Sequence, residues 1–226
     1  MTALLDSPGP AVAERQSSSP TLEVDGLGVS LNLGLRQVPI VTDVSFSVAR
    51  GECVALVGES GCGKSITASA IMGLPPANTV ITGAIRLNGR TISDLPRSER
   101  RKLCGRHIGF IFQEPMTALH PTLSIGAQMT DTLRHNLGLA RHAAVDRAAE
   151  LLDRVGIPRP RDILGGYVHE LSGGMRQRVM IALAISCGPS LVIADEPTTA
   201  LDVTIQAQVL DLLDQMRREL DLALLF

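Results

Sequence analysis

The stretch that most constrains this chain is an apolar run, Glu52–Val57, which leads into a glycine-rich loop and a helix-forming segment ending at Met72. A strand, a glycine loop and a helix in this order are the setting of a phosphate-binding P-loop. Glycines let backbone N–H groups approach phosphate oxygens, and the helix N-terminus adds the positive end of its dipole. The stretch therefore predicts a nucleoside triphosphate site, with Lys64 on the β- and γ-phosphates and Ser65 on Mg²⁺.

The whole loop is expected to contribute to phosphate binding. A chance glycine turn before a helix is the alternative, and an eight-residue match in the right strand–helix setting argues against it. The residues predicted to contact the nucleotide here are Gly58, Glu59, Ser60, Gly61, Cys62, Gly63, Lys64, Ser65 and Ile66.

Composition restricts the other classes of function. The 226 residues suffice for one or two domains, and 45% hydrophobic with 19% charged residues is typical of a folded soluble protein. A net charge of -2 leaves no basic excess, so nucleic acid is not an expected partner. The longest uncharged run, residues 179–194, is broken by Gly188-Pro189 and is shorter than the roughly 18 residues of a spanning helix, so membrane contact is expected through a partner.

The four cysteines form no CxxC pair, and a disulfide at Cys62 would distort the phosphate loop. Reduced thiols and a cytosolic location are therefore expected. The five histidines show no metal-ligand spacing.

Periodicity predicts the remaining elements. A tail rich in Ser, Pro and Ala occupies residues 1–20 and is expected to be disordered. Strands at residues 21–33, 41–49 and 81–87, the last followed by an Asn88-Gly89 turn, predict an antiparallel layer. Ser93–Pro96 is expected to cap a short helix through Lys102, and helical spacing extends over residues 123–156.

Two buried strands end in polar residues. Ile108–Phe112 is followed by Gln113, where a simple turn is the alternative to a functional role. Leu191–Ala194 is followed by Asp195 and Glu196 at an edge where parallel sheets hold ligands. Asp195 suits Mg²⁺, and Glu196 suits a water poised for in-line attack.

A second glycine motif precedes an apolar helix at residues 171–178. Ser172 is a good N-cap, which by itself explains it structurally. Glycines at the first helical positions cost roughly 1 kcal/mol each relative to alanine. Gly173 and Gly174 therefore indicate a close approach to the backbone, and a helix N-terminus favours an anion there.

With the P-loop, Gln113, LSGGMRQR and ADEP in this order, the chain resembles the ATP-binding subunit of ABC transporters from Thr21 to Phe226. The resemblance implies an α/β P-loop NTPase fold: a RecA-like parallel sheet, an antiparallel β layer and a helical signature subdomain at about 115–170. The stretches 112–121 and 198–208, with Met175, resemble the di- and oligopeptide (and nickel) importers.

The resemblance implies a role for each motif. Lys64 and the loop amides hold the phosphates of ATP, Glu196 activates water, and Mg²⁺ is held by Ser65, Asp195 and Gln113. The nucleotide bound to an opposite, identical or related subunit is contacted by Ser172, Gly173, Gly174 and Gln177, with Asp202 in the loop that crosses the interface. Two transmembrane permease subunits, contacted by the segment after Gln113, and indirectly an extracytoplasmic solute-binding protein are the further partners. The expected location is peripheral, on the cytoplasmic face of the plasma membrane.

Two departures from the family pattern matter. No aromatic residue precedes Phe46, so only Leu31, Leu33 or Val38 remains to contact adenine. We predict weaker discrimination between ATP and GTP than in members with the aromatic. Side-by-side nucleotide titrations that give similar adenine selectivity would contradict this.

The chain ends in the apolar run Leu222–Phe226, which has the character of a buried strand, where the family continues to a histidine on the γ-phosphate. The sequence is therefore expected to be a fragment that hydrolyses ATP poorly or is unstable; robust turnover abolished by Glu196→Gln would contradict this. The transported solute stays open. Two other classes remain, a soluble ABC-type ATPase of DNA repair or translation and a non-catalytic nucleotide-binding module. The absence of heptad insertions argues against the first, and intact Lys64, Asp195 and Glu196 argue against the second.

Overall fold

The computed structural model describes residues 19–34, 36–199 and 201–226. The tail predicted for residues 1–20 lies outside these residues except for Ser19 and Pro20. The strands are β1 (Leu22–Asn32), β2 (Gln37–Val48), β3 (Cys53–Val54), β4 (Thr79–Leu87), β5 (Arg90–Thr91), β6 (Ile108–Ile111), β7 (Leu191–Ala194) and β8 (Ala223–Leu225). The helices are α1 (Lys64–Met72), α2 (Arg97–Arg101), α3 (Pro115–Ala118), α4 (Ile125–Leu137), α5 (Arg141–Arg154), α6 (Pro160–Gly165), α7 (Gly173–Ile185) and α8 (Val203–Leu220).

The first sheet is antiparallel, in the order β2-β1-β4-β5, which confirms the predicted antiparallel layer. Strand β1 lies between two neighbours and buries the alternating side chains of Leu22 and Val24. The β4–β5 hairpin turns at Asn88 and Gly89, which both have positive φ, 49° and 77°, as a two-residue hairpin turn of this kind requires.

The second sheet is parallel, in the order β3-β8-β7-β6. All four residues of β7 are buried, as expected for a parallel strand covered on both faces. Strand β8 pairs with β3 on one side and β7 on the other, so the apolar run at residues 222–226 contains a buried strand, as predicted. The α/β P-loop class is thereby confirmed.

Strand β3 is shorter than the apolar run predicted. The ladder covers Cys53 and Val54, and it ends in a last hydrogen bond from the Leu56 N–H to the Phe226 carbonyl. Beyond it the backbone leaves the sheet for the glycine loop, and Val57 is 88% exposed. A hydrophobic run thus extends past the point where the backbone still has a pairing partner.

Two hydrophobic clusters lie on opposite faces of the parallel sheet. One joins it to α1 and the antiparallel sheet through residues such as Ile71, Ile85 and Ile193. The other packs α4, α5, α7 and α8 together, with Leu133, Leu152 and Ile181 fully buried. Both α1 and α7 are therefore held at fixed positions relative to the strand ends.

The regular elements between residues 115 and 170 are helices, and the helical subdomain proposed for that range stays a prediction. The single helical pattern over residues 123–156 resolves into α4 and α5, because Gly138 ends α4 in a left-handed conformation. The predicted cap of α2 is wrong: Pro96 occupies the N-cap position without a side-chain bond, and the Ser93 hydroxyl donates to Asp94 instead. No helix in the described ranges is long and apolar enough to cross a membrane.

Candidate nucleotide-binding and catalytic site

The predicted P-loop connects β3 to α1, and two of its glycines have left-handed backbone conformations. Gly61 has φ 81° and Gly63 has φ 102°. Gly63 is also crowded, because an added Cβ would lie 2.8 Å from Val41 Cγ2. It is the N-cap residue of α1 and makes no side-chain cap, so the first N–H groups of the helix are left for an anion.

These two glycines offer a matched pair of substitutions. Gly63→Ala and Gly61→Ala both place a Cβ at positive φ, which costs about 1–2 kcal/mol. Only Gly63→Ala adds a clash, whereas nothing lies within 4 Å of a Cβ at Gly61. We expect the clash to cost about 1–3 kcal/mol more in the free energy of unfolding, measured by urea titration. Equal losses in the two variants would show that contact with β2 does not shape the loop.

Lys64, the first residue of α1, folds back over the loop. Its Nζ donates to the carbonyls of Gly58 at 2.9 Å and Glu59 at 3.0 Å. The Glu196 carboxylate lies 3.8 Å from the same Nζ. The ammonium group is thus held at the mouth of the loop, where phosphate oxygens would replace the carbonyls.

The next residue of α1, Ser65, contacts the end of β7. Its hydroxyl donates to Asp195 Oδ1 at 3.0 Å across 130 residues of sequence. Hydroxyl and carboxylate oxygens are ligands that Mg²⁺ takes in proteins together with phosphate oxygens. No group of three or more His, Cys, Asp or Glu side chains in the described chain could hold a metal by itself. A metal here would therefore depend on phosphate oxygens for part of its coordination.

Gln113 and Glu196 also meet, from the ends of the neighbouring strands β6 and β7. Gln113 Nε2 donates to Glu196 Oε2 at 3.0 Å. A third residue, Thr199, places its hydroxyl 3.1 Å from the same carboxylate oxygen. Thr199 was not predicted as a site residue, since only its spacing of three residues from Glu196 could have indicated it.

The five predicted side chains Lys64, Ser65, Gln113, Asp195 and Glu196 are therefore brought together at one edge of the parallel sheet. Beside them lies a cavity of about 420 Å³, lined by Gly58, Lys64, Asp195 and Glu196 together with apolar residues of β7, α1, the end of the chain and the segment between β3 and the loop. One lysine faces two carboxylates here, so a divalent cation and a polyphosphate can enter as a charge-balanced pair.

The second glycine motif lies elsewhere on the surface. Ser172 caps α7 by accepting the Met175 N–H at 3.3 Å, as predicted. An added Cβ at Gly174 would lie 3.2 Å from Ile205 Cγ2 on α8, so this glycine permits close packing within the chain itself. Ser172 and Gly173 are exposed, and within the described residues no hydrogen bond joins them to the P-loop residues.

Gln177 and Asp202, the other two residues predicted at the nucleotide of an opposite subunit, differ in solvent exposure. Gln177 is only 1% exposed, and its buried Nε2 has no partner among the described residues, so a nucleotide could not reach it without rearrangement. Asp202 is exposed and caps α8 by accepting the Ile205 N–H at 3.0 Å. The cap explains Asp202 structurally whether or not it also contacts a second subunit.

The residues considered for adenine contact lie at the end of the antiparallel sheet. Leu31 pairs with Val38, while Leu33 is 66% and Val38 42% exposed. At Gly63 of the P-loop, the atoms nearest an added Cβ belong instead to Val41 and Ile40. Sequence spacing did not identify Ile40, because the left-handed turn at Gly63 decides which part of β2 meets the loop.

Comparison with known proteins agrees with this geometry. The family model described as ABC transporter matches residues 41–199. A putative peptide import ATP-binding protein of Brucella melitensis is 47% identical over 217 residues, covering 93% of this chain and 64% of that protein. The oligopeptide transport ATP-binding protein OppD of Escherichia coli is 45% identical over 211 residues, with 93% and 63% covered. The chain thus spans a little less than two thirds of these relatives' length.

Solved structures support the same assignment. An ATP-binding cassette solved as a dimer in a post-hydrolysis state with ADP and Pi superposes with a TM-score of 0.78 at 26% identity, covering 90% of this chain and 86% of that one. The protein cbiO1 of Clostridium perfringens, part of an ABC transporter complex, gives 0.74 at 26% identity, with 92% and 78% covered. Sequence motifs, sheet order and relatives agree, and the chain therefore belongs to the ABC transporter family as an ATP-binding domain.

Proposed function

We propose that this chain is the ATP-binding and hydrolysing subunit of an ABC importer, and that the importer carries di- or oligopeptides. The observation that supports hydrolysis is the joint placement of Lys64, Ser65, Gln113, Asp195 and Glu196 at the sheet edge. Support for the cargo comes from the relatives, which are named as peptide import and oligopeptide transport ATP-binding proteins.

In this proposal each side chain has a separate task. Lys64 and the amides of the loop bind the phosphates, and Ser65 and Asp195 hold Mg²⁺. Gln113 turns its Nε2 toward Glu196, which leaves its amide oxygen free of hydrogen bonds in the described chain and available to the metal or to water. The metal would neutralise charge on the phosphate oxygens. Glu196 accepts the proton of the attacking water.

A second subunit completes the site in this proposal. The N–H groups at the start of α7 are preceded by exposed Ser172, and no acidic side chain of the described residues binds them. A triphosphate held by one P-loop would present its γ-phosphate to α7 of a second copy or a related chain. Two ATP molecules would then hold the two subunits together, and hydrolysis would allow the subunits to separate.

Contact with the permease subunits is assigned to the segment that follows Gln113, together with Phe112 before it. Phe112 is 45% and Met116 47% exposed, so two large apolar side chains flank the residue that contacts Glu196. A membrane subunit bound there would contact the segment that carries Gln113, so that a change at the nucleotide site could move it. The chain would then lie at the cytoplasmic face of the membrane. An extracytoplasmic solute-binding protein would take part indirectly.

The test is co-purification. The tagged chain is expressed together with candidate peptide permease subunits, and the membrane fraction is extracted in detergent. We expect the permease pair to be retained, and Met116→Asp to reduce the retention. The proposal would be abandoned if the chain neither retained the permease subunits nor bound MgATP.

A further inference from the structure

We propose that Thr199 is a positioning residue for Glu196: its hydroxyl holds the glutamate carboxylate in the orientation in which Gln113 also contacts it. This inference rests on the proposed function of Glu196 as general base. It assigns a role to a residue that lies outside the P-loop, the strand ends and the second glycine motif.

The conformation of Glu196 requires such a support. Its φ of 45° lies in the left-handed region, which residues other than glycine seldom adopt and which persists only where the surroundings hold it. The side chain is also 38% exposed, so packing alone does not restrict its rotamers. Polar contacts must therefore set the direction of the carboxylate.

Among the described residues, three groups contact this carboxylate, and two of them have other tasks. Lys64 Nζ lies 3.8 Å from Oε1, and phosphate is expected to engage it when nucleotide binds. Gln113 Nε2 donates to Oε2 at 3.0 Å, and the Gln113 side chain is also proposed to serve the metal. The Thr199 hydroxyl, 3.1 Å from Oε2, is the contact that nucleotide binding leaves in place.

Thr199 is itself well held. Its N–H donates to the Glu196 carbonyl at 3.3 Å, and its hydroxyl lies 3.1 Å from that carbonyl and from Oε2, so the single proton is shared between them. Gln206 on α8 donates its Nε2 to the carbonyls of Thr198 at 3.1 Å and Leu201 at 3.0 Å. The loop that carries the hydroxyl is thus tied to a long helix.

A purely structural role is the alternative, since a threonine hydroxyl on a carbonyl three residues earlier is a common turn contact. The two roles separate in Thr199→Val, which removes the hydroxyl and keeps the shape, and in Thr199→Ser, which keeps the hydroxyl. Thr204→Val is the matched control. Thr204 is exposed in the first turn of α8, and its hydroxyl has no hydrogen bond among the described residues.

The first readout is structural and independent of turnover. Crystal structures of the three variants and the parent are compared at the Glu196 carboxylate. We expect the Gln113 hydrogen bond to be lost in Thr199→Val and retained in Thr199→Ser and Thr204→Val. A carboxylate that stays on Gln113 in Thr199→Val would overturn the proposal, even if the melting temperature falls.

The second readout is kinetic. We expect Thr199→Val to lower kcat about 3- to 10-fold, the worth of one hydrogen bond, with KM for MgATP changed by less than about 2-fold. Thr199→Ser is expected to restore kcat. A rise in KM at unchanged kcat would also overturn the proposal. If Glu196→Gln proved as active as the parent, the general-base assignment would fail, and the crystal structures would still decide whether Thr199 orients the side chain.

Discussion

Replacing Lys64 by alanine is expected to weaken MgATP binding by about 10- to 100-fold, because charge-assisted hydrogen bonds contribute about 1.5–3 kcal/mol each. The ammonium group lies over the loop, 2.9 Å from the Gly58 carbonyl and 3.0 Å from that of Glu59. A triphosphate would exchange these neutral acceptors for charged ones. The loss should appear in isothermal titration of the purified chain with MgATP and, to a smaller extent, with MgADP.

The only other lysine of the sequence is Lys102, which follows α2. Lys102→Ala is therefore a control that makes the same chemical change away from the loop. The Lys102 ammonium pairs with Glu99 at 2.6 Å on the surface. We expect Lys102→Ala to leave nucleotide affinity unchanged. If Lys64→Ala bound MgATP as tightly as Lys102→Ala, the P-loop interpretation would be refuted.

The second large effect is expected at Glu196. Glu196→Gln keeps the size of the side chain and removes its capacity to take a proton, so turnover should fall by about 10²- to 10⁴-fold. Its contacts with Gln113 and Thr199 are to Oε2, and an amide in its place can still be held at that position. MgATP affinity is therefore expected to stay within about 3-fold of the parent, less than the worth of one hydrogen bond to a charged group.

Single-turnover hydrolysis of radiolabelled ATP with the chain in excess resolves slow rates, and sedimentation velocity reports pairing of subunits. Under the proposed pairing of two subunits around ATP, Glu196→Gln is expected to accumulate an ATP-bound dimer, because it would hydrolyse the joining nucleotide slowly. The control is Glu99→Gln, an exposed carboxylate on α2 whose pKa is lowered by its hydrogen bond to Lys102. Parental hydrolysis by Glu196→Gln would exclude Glu196 as the base and leave the binding assignment intact.

Local signals made the P-loop, the polar strand ends and the hairpin predictable. The P-loop needs glycines at consecutive turns, and Gly61 and Gly63 do have positive φ. The Asn88-Gly89 turn follows in the same way from its two dihedral angles. In each case the residue types of a short stretch fix the backbone dihedral angles that the element needs. Such an element is recognised without knowledge of any distant contact.

Signals that depend on distant contacts were less informative. The apolar run 52–57 predicts a strand longer than β3, because hydrophobicity does not report where the hydrogen-bonding partner ends. Gln177 was predicted to contact a nucleotide, yet its position on α7 places it in the core. Gly174 was interpreted as a place where a ligand approaches the backbone closely. Within the chain, the side chain of Ile205 packs there.

The amino-acid sequence by itself determined that the chain has a phosphate loop, two strands ending in Gln113 and in Asp195-Glu196, and a serine-capped glycine helix. Only the tertiary structure decided that Ser65 meets Asp195 across 130 residues and Gln113 meets Glu196 across 83. It also decided that Thr199 turns back onto the Glu196 carboxylate. The reason is that strand order and backbone dihedral angles set the direction of each side chain, and both depend on packing between segments far apart in the chain.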